Sequence, residues 1–350
     1  MNEQPMPQKK RNLRRRLLIA VAVVLALFLY FFVNLMINNQ RRAKTVTWGV
    51  TFSDEYAKQL GLDWKQTYLA TLDDLKVRNY RLPIYWDEVQ PAPGKYDFTD
   101  VDWMMDQASQ RGAKVLLVVG RRVPRWPECH VPDWVAKQGI AAEDKQLLKL
   151  VAAEVDHFKN APALDSWQVE NEPLLGIFGE CPPPNAALLG QEVHLLKSID
   201  TKHPVVITDS GELSIWLPTA LKADVLGISM YRVTWNKWLG YFYYPITPAF
   251  YWKKAEALYP IVKKVIVTEL QAEPWPSDQK SIPDTSLAEQ YKSMNIKTFY
   301  NNIDFARRVG FPNVYLWGVE WWYWIKQQGN ADFWNAARTL FAENKNVVRR

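Results

Sequence analysis

Histidine and cysteine are scarce in this chain, and the few that occur argue against several catalytic classes. The 350 residues contain two cysteines and four histidines, at positions 130, 157, 194 and 203. The histidines have no spacing typical of zinc ligands, which argues against a zinc site or a metal-dependent deacetylase. Ser210 and Gly211 do not belong to a Gly-x-Ser-x-Gly sequence, so no hydrolase nucleophile elbow is indicated. We expect neither a metal nor a cofactor.

Glycine is also sparse, and no glycine-rich turn follows the first predicted strand. The chain has 15 glycines. The strand at 46–52 is followed by Ser53, Asp54 and Glu55. A doubly wound open sheet, which is the alternative fold, usually carries a glycine-rich phosphate loop at this point. Internal repeats and low-complexity tracts are absent too, so we predict one outer domain at 46–345.

Net positive charge is lacking outside the N-terminal region. The whole chain carries +6; residues 1–44 contain nine Lys or Arg against Glu3, which gives +8 and leaves −2 for the rest. A pI near 9 alone would suggest a nucleic-acid partner. Because the basic residues flank an apolar run, we expect no nucleic acid and interpret them as orienting a membrane segment.

The apolar run at 17–37 is free of charge and contains one polar residue, Asn34. Its length is sufficient for a helix that crosses a bilayer, and the cation excess before it predicts a cytoplasmic N-terminus. We predict a cytoplasmic basic tail at 1–16, a single-pass transmembrane anchor at 17–37, a linker at 38–45 and an extracytoplasmic domain. The alternative is a cleaved signal peptide, whose apolar region would be shorter and end in small residues.

Eight short apolar stretches, often β-branched, alternate with amphipathic stretches in the outer domain. Strands buried on both faces of a parallel sheet have this composition. The predicted strands are 46–52, 80–85, 114–120, 166–171, 204–208, 225–230, 265–270 and 314–318. Eight strands alternating with helices over roughly 300 residues predict an α/β fold of the (β/α)8 TIM-barrel type.

Capping signals place several of the helices between these strands. Asp63 is predicted to begin one helix, and Thr99 is expected to cap the next. Ser286 is predicted to begin a long helix that continues through residue 306, and residues 185–200 are predicted to form another.

Two of the predicted strands deliver a glutamate at their carboxyl ends. The stretch 164–173 ends in Glu172 and Pro173, and the stretch 265–270 contains Glu269. Parallel barrels take their active groups from the carboxyl ends of strands. A protonated carboxyl group paired with an ionised one is what cleavage of a glycosidic bond requires.

Three further glutamates lie near the same rim. Glu170 has the same strand parity as Glu172, so strand alternation alone leaves both as candidates. Glu273 and Glu320 are interpreted as solvated or substrate-contacting acids.

Four sequence segments together resemble the barrel-shaped retaining glycoside hydrolases of clan A, which include the family 5 cellulases. Asn171-Glu172-Pro173 resembles the acid/base motif, and Thr268-Glu269 the nucleophile position. Residues 80–86 with 93–98 resemble the second strand and its loop, and Trp317 resembles the tryptophan that floors the sugar subsite. Gly120-Arg121-Arg122 stands where family 5 members usually carry a histidine. The chain is therefore expected to be a divergent member, and the resemblance does not specify its sugar substrate.

The resemblance implies a role for each matching residue. Glu172 would be the general acid/base and Glu269 the nucleophile. Arg81 would keep Glu269 anionic, Tyr231 would hold its rotamer, and Asn171 would bind the sugar 2-hydroxyl. A structural ion pair is the alternative for Arg81 and Glu269. The expected substrate-contacting aromatics are Trp317, Trp86 and Trp235.

Aromatic residues crowd the segment after the sixth predicted strand, between Tyr231 and Tyr244. They could stack on sugar rings, enter the membrane interface or pack on one another. Two cysteines alone do not establish a bridge. However, Cys129 and Cys181 follow neighbouring predicted strands, and we predict a disulfide between them.

The resulting expectation is a membrane-anchored, extracytoplasmic retaining β-glycoside hydrolase. Its carbohydrate substrate would be a cell-surface or envelope glycan or a glycolipid, and membrane contact would run through residues 17–37. The alternatives are a transglycosylase and an inactive carbohydrate-binding or scaffolding barrel.

Overall fold

The computed structural model describes residues 8–36, 42–43 and 45–343. Parts of the predicted segments therefore lie outside the described residues. These parts are positions 1–7 of the basic tail, 37 of the anchor, 38–41 and 44 of the linker, and 344–345 of the outer domain.

Short, apolar strands form a closed parallel barrel. The strands described are β1 Thr47–Thr51, β2 Asn79–Pro83, β3 Lys114–Val119, β4 Leu164–Val169, β5 Val205–Asp209, β6 Val225–Met230, β7 Val233–Asn236, β8 Gly240–Tyr243, β9 Val265–Gln271 and β10 Asn313–Trp317. The barrel neighbours follow the order β1-β10-β9-β6-β5-β4-β3-β2, and β7 pairs with β8 in a separate two-stranded sheet. The predicted eight-stranded barrel is confirmed, and an open sheet is excluded.

The barrel register brings the strand ends to a common level. Thr51 pairs with Trp317 of β10 on one side and with Arg81 of β2 on the other. Across the barrel, Ser229 of β6 pairs with Glu269 of β9. Because all eight strands are parallel, their carboxyl ends open at one mouth, where side chains from distant parts of the sequence meet.

Helices surround the barrel and connect its strands. They are α1 Gln8–Met36, α2 Asp54–Gln59, α3 Trp64–Asp73, α4 Trp86–Val89, α5 Thr99–Gln110, α6 Asp133–Ala136, α7 Ile140–Phe158, α8 Ala186–Ile199, α9 Leu217–Ala220, α10 Pro248–Leu258, α11 Leu287–Ser293, α12 Ile296–Val309, α13 Val319–Gln327 and α14 Asp332–Glu343. A 3-10 turn spans Ser277–Gln279.

Most of the predicted helix starts are confirmed, and two details differ. Asp63 caps α3 by accepting from the backbone N–H of Gln66. Thr99 does not cap α5 but is its first residue; its N–H is bound by Asp97, which lies two residues earlier. The helix predicted from Ser286 through residue 306 is two helices, because Asn295 interrupts it and caps α12.

The N-terminal helix α1 contacts α10 but is otherwise largely exposed. The large apolar side chains described in α1, such as Leu18 and Phe28, are exposed. Across residues 8–36, 42–43 and 45–343, none of the helices combines the length and apolar character needed to cross a bilayer. The anchor predicted at 17–37 is therefore not confirmed.

Tryptophan contributes heavily to the core. Seven tryptophans are among the largest fully buried side chains: Trp48, Trp86, Trp167, Trp216, Trp321, Trp322 and Trp334. Several of their indole N–H groups have acceptors, such as Asp200 for Trp167 and Asp74 for Trp334. Much of the aromatic excess therefore packs the barrel, and only part of it reaches the mouth.

Candidate active site

A cavity of about 740 Å³ opens at the carboxyl ends of the strands. Its lining comes from the ends of β6, β9 and β10 and from the segments after β1, β3, β4, β5, β6 and β9. It contains both Glu172 and Glu269. The two glutamates that the sequence singled out therefore share one pocket, although 97 positions separate them. The volume is within the range usual for small-ligand sites.

Glu269, near the end of β9, is held by two donors. Arg81 Nη1 lies 2.8 Å from Glu269 Oε1, and the Tyr231 hydroxyl donates to Oε2 at 3.1 Å. Each carboxylate oxygen thus has a partner, which fixes the side chain. One of the two donors is a buried cation, so the carboxyl group of Glu269 lies in an ion pair.

Arg81 is fully buried on β2 and organises the floor of the cavity. Its Nη2 donates to Asn171 Oδ1 at 2.7 Å, and its Nε donates to Gln168 Oε1 at 2.7 Å. Its guanidinium therefore holds Asn171 and Glu269 side by side, on two arms of one planar group. The Arg81–Glu269 ion pair is part of the candidate site and not a separate structural feature.

Glu172, just after β4, is prepared differently. Its backbone N–H donates to Thr208 Oγ1 at 2.8 Å, and its own φ is 44°, in the left-handed region. Its Oε1 is buried and has no hydrogen-bond partner among the described residues. Burial raises the pKa of Glu172 well above its ordinary value, and the charge of nearby Glu269 raises it further. The site therefore favours a protonated Glu172 beside a Glu269 that is paired with a cation.

Glu170 differs from Glu172 in its hydrogen-bond partners. Its carboxylate accepts from the backbone N–H groups of Arg121 and Arg122 at 2.8 and 2.7 Å. Gly120 gives it room, because a Cβ there would lie 2.5 Å from Glu170 Oε1. Glu170 thus holds the loop after β3, and Glu172 alone of this pair lines the cavity.

The predicted aromatic contacts are only partly at the mouth. Trp317 and Trp235 line the cavity. Trp86 does not, which corrects the prediction: it begins α4 directly after β2, is fully buried, and donates from Nε1 to Gln90 Oε1 at 2.7 Å. Sequence analysis missed Trp126 and Trp275, which also line the pocket.

The aromatic segment after β6 is a hairpin of β7 and β8 that borders the cavity. Its first strand contributes Trp235 to the lining, whereas Trp238 at the turn is 84% exposed. The second strand packs on α11, where the Tyr241 hydroxyl donates to Glu289 Oε1 at 2.9 Å. The hairpin therefore has two kinds of aromatic residue: Trp235 faces the cavity, and Tyr241 packs on the domain.

A buried arginine that the sequence did not reveal lies beside Trp317. The Arg125 guanidinium carbon is 4.1 Å from the Trp317 ring centroid and 3.7 Å from that of Tyr56. It is paired with Glu273 and with Glu320, to which Nη2 donates at 3.0 Å. Glu273 and Glu320 therefore neutralise Arg125 and are not solvated acids; the signal in the sequence was only their place near the rim.

Two more carboxyl groups line the cavity: Glu212, which the sequence places at a strand end without a role, and Glu128, which it does not single out. Glu128 follows β3, and Asn171 Nδ2 donates to its Oε2 at 3.0 Å. Glu212 follows β5 and accepts from the Tyr231 N–H at 3.0 Å and from the Tyr251 hydroxyl. Burial is the largest cause that raises the pKa of each to about 7. Both lie on irregular loops, where strand patterns give no signal.

The predicted disulfide between Cys129 and Cys181 is confirmed. It joins the loop after β3, which contains Glu128, to the loop after β4, which contains Glu172. Arg122 reinforces the junction, donating to the Leu175 and Phe178 carbonyls at 2.7 and 2.8 Å. The wall of the cavity beside Glu172 is therefore cross-linked both covalently and by hydrogen bonds.

Comparison with known proteins gives a consistent chemical class. A family model described as β-galactosidase, glycoside hydrolase family 42, matches residues 63–182, which includes Glu172. No curated protein sequence matches the chain. The family match covers about a third of the chain, so it indicates relatedness over the segment from α3 to the β4 loop.

Solved structures extend the likeness to the whole barrel. A family 42 β-galactosidase from G. stearothermophilus aligns over 80% of this chain and 52% of its own, with 12% identity and a TM-score of 0.55. An exo-β-1,4-mannosidase from an Opitutaceae bacterium aligns over 80% and 54%, with 14% identity and a TM-score of 0.54. A xylanase from Thermotoga maritima aligns over 78% and 83%, with 14% identity and a TM-score of 0.53.

At these identities the structural likeness shows the fold, and this chain spans about half the length of the first two enzymes. The predicted resemblance to barrel-shaped glycoside hydrolases is confirmed, whereas membership of family 5 in particular is not. The matched family model and the aligned structures are those of glycosidases, and what this chain shares with the structures is the barrel fold.

Proposed function

We propose that the protein is a retaining β-glycosidase in which Glu269 is the nucleophile and Glu172 the general acid/base. The observation that carries this proposal is the contrast between two carboxyl groups in one pocket. Glu269 is bound by the Arg81 cation and by the Tyr231 hydroxyl. Glu172 is buried beside it with a raised pKa. This is the division of roles that a double displacement requires.

In the first step, a Glu269 carboxylate oxygen forms a bond to the anomeric carbon while the bond to the glycosidic oxygen breaks. Glu172 gives its proton to that oxygen, so the aglycone leaves as an alcohol. The charge of Glu269 is lost in the ester, which lowers the pKa of Glu172 and prepares it as a base. In the second step Glu172 takes a proton from water, the water oxygen attacks the anomeric carbon, and Glu269 is released as a carboxylate. Transfer to a sugar hydroxyl in place of water follows the same path.

A 2-fluoro aryl β-glycoside series tests the mechanism, because these probes form the ester but hydrolyse it slowly. The expected result is a covalent adduct on the peptide that contains Glu269, with release of one equivalent of phenol, and no adduct in Glu269→Gln. Proton NMR of the first product from a hydrolysable glycoside should show the β-anomer. An α-anomer as first product, or an adduct on another residue, would remove this assignment.

We also propose that the barrel lies outside the cytoplasm, on a cell-surface or envelope glycan or glycolipid. The Cys129–Cys181 bridge supports the compartment, since disulfides persist in oxidising environments. Membrane attachment rests on the sequence of residues 17–37 alone. A C-terminal fusion to a phosphatase that is active only outside the cytoplasm provides the test: activity supports the proposal, and a silent, stably expressed fusion contradicts it.

A further inference from the structure

Glu128 is a cavity carboxylate that the double displacement does not use. It is 5% exposed, has φ of 75°, and lines the same pocket as Glu172 and Glu269. Its loop fixes it: its N–H donates to the Arg125 carbonyl at 2.7 Å, and its carbonyl accepts from the Val123 N–H at 2.8 Å. Strained, over-determined residues of this kind cluster at functional sites.

The contacts of Glu128 place it beside the nucleophile. Its Oε2 accepts from Asn171 Nδ2, and the orientation of this amide is fixed because Asn171 Oδ1 accepts from Arg81 Nη2. Arg81 Nη1 in turn binds Glu269. Glu128, Asn171, Arg81 and Glu269 thus form one chain of contacts. Among the described residues, Arg122 is the nearest cation, with its Nε 3.6 Å from Oε2, and no donor contacts Oε1 within hydrogen-bonding distance.

Carboxyl groups outnumber cations among the residues that line the cavity. Its lining includes five glutamates and two cations: Glu128, Glu172, Glu212, Glu269, Glu273, Arg125 and Lys280. Arg125 is already neutralised by Glu273 and Glu320. Glu269 is likewise paired with Arg81, whereas the cation nearest to Glu128 is Arg122, at 3.6 Å. A uronate or sulfate beside Glu128 would therefore meet like charge, and a cationic group there would gain a second partner for this carboxylate.

The resemblance implies that Asn171 would bind the substituent of the ring carbon next to the anomeric carbon, and Glu128 contacts Asn171. Glu128 would then lie beside that substituent when Glu269 is bonded to the anomeric carbon. This step rests on the proposed function. We propose that the site takes a hexosamine with a free 2-amino group, and that Glu128 is the specificity-determining residue that pairs with the ammonium. The substrate class is therefore a partly or fully deacetylated, amino-sugar-containing β-glycan. An N-acetyl group removes the cation and adds bulk, and a 2-hydroxyl offers no charge, so both bind less tightly.

Binding to the full chain carrying Glu172→Gln tests the proposal without turnover. The probes are methyl β-glycosides with a 2-amino, 2-acetamido or 2-hydroxyl group, in the gluco and galacto series, measured by calorimetry at one ionic strength. In at least one series we expect the 2-amino glycoside to bind about tenfold tighter or more than its two counterparts. Adding Glu128→Gln should abolish this preference. The matched control is Glu212→Gln, which also removes a buried cavity carboxyl group but does not contact Asn171, and it should retain the preference.

Equal affinities for the three probes, absence of binding in both series, or a preference that survives Glu128→Gln overturns the proposal. If Glu128→Gln does not fold, the chain with Glu128 unchanged still tests the proposal. Tighter binding of the 2-hydroxyl or 2-acetamido probe than of the 2-amino probe contradicts the proposal. The result separates from that of the proposed mechanism. If Glu269 is labelled but the 2-amino glycoside binds no tighter than its counterparts, the proposed mechanism stands and the hexosamine proposal is wrong. If the 2-amino glycoside is preferred but Glu269 is not labelled, the hexosamine preference stands and the proposed mechanism is wrong.

Discussion

Arg81 is the residue on which the floor of the cavity depends. It is fully buried, and its three donor nitrogens bind Glu269, Asn171 and Gln168. Burying such a cation costs free energy, and removing it costs more, because its carboxylate partner is then left buried without a counter-charge. The site is therefore a network in which the loss of one member leaves the others unsatisfied.

Replacing Arg81 with methionine is expected to lower the free energy of unfolding by about 3–5 kcal/mol, because Glu269 is left buried without its cation. Urea denaturation measures this change. The double variant Arg81→Met/Glu269→Gln should recover part of the loss, since it removes the stranded charge. A single variant as stable as the wild type would show that the pair is unimportant to the fold.

The raised pKa of Glu172 predicts the alkaline limb of the pH profile. The free enzyme needs Glu172 protonated, so kcat/KM should stay high above the ordinary pKa of glutamate and fall as pH passes the raised value. Glu172→Gln should remove that limb and lower kcat/KM about 10²- to 10⁴-fold for substrates with poor leaving groups. The pH dependence of kcat/KM on aryl glycosides of different leaving-group pKa provides the measurement.

The raised pKa of Glu172 also predicts that Glu172→Gln, although it lowers activity, raises the stability of the fold at alkaline pH. A carboxyl group whose folded pKa is raised contributes stability that is present below the unfolded pKa and lost as pH rises through the folded pKa. Glu172→Gln should therefore gain stability relative to the wild type at alkaline pH and not at acid pH. An equal effect at both pH values would contradict the raised pKa.

At the scale of elements, the hairpin of β7 and β8 divides its aromatics between two environments. Trp235 lines the cavity, whereas Trp238 is exposed at the turn. Trp235→Ala is expected to weaken glycan binding by about tenfold, since a rigid aromatic anchor in a pocket is worth more than 1 kcal/mol. Calorimetry on the Glu172→Gln background measures it, with Trp238→Ala as the control that should bind normally. Equal losses in both variants would contradict this division.

The disulfide links two loops that carry site residues, so its loss is expected to affect stability and catalysis together. The bridge joins Cys129 and Cys181, which are 52 positions apart in the sequence. Cys129→Ser/Cys181→Ser should lower the free energy of unfolding by about 2–4 kcal/mol. Thermal unfolding and kcat/KM, each compared with the wild type before and after reduction, measure the effect. Unchanged values would mean that Arg122 and its carbonyl partners hold the loops alone.

Elements were predictable where the signal was local. The eight barrel strands were located to within about two residues because strands buried on both faces have continuous apolar sequences. The hairpin of β7 and β8 was not predicted, because its alternation is short and its aromatics fit several environments. The break at Asn295 was missed because the apolar stripe continues across it, while a capping side chain starts a new helix.

For the whole molecule, the barrel is expected to function without the N-terminal segment. The contacts that join the first described residues after α1 to the barrel are local: Arg42 pairs with Asp304 at 2.7 Å, and the Ala43 N–H donates to Arg307. A chain that starts at Arg42 should fold and cleave soluble aryl β-glycosides with the kcat/KM of the full chain. Assays of both forms check this, and a folded but inactive truncated chain would contradict it.

The candidate pair of glutamates could be chosen from the sequence, but only in part by physical reasoning. Alternation could not separate Glu170 from Glu172, because both have the same parity; the likeness of Asn171-Glu172-Pro173 to a known motif made the choice. The structure supplies the physical difference, since Glu170 is occupied by two backbone N–H groups and Glu172 Oε1 is unpartnered among the described residues.

Local sequence patterns were enough to predict the alternation of strands and helices, the closed barrel and the two strand-end carboxylates. Which side chains meet depends on how the strands are arranged in space. Arg81 reaches Glu269 across 188 positions, Arg125 reaches Glu320 across 195, and Glu128 reaches Asn171 from a loop with no pattern of its own. Charges that pair across a closed barrel leave no periodic trace, since their spacing along the chain is set by topology and not by the repeat of a helix or a strand.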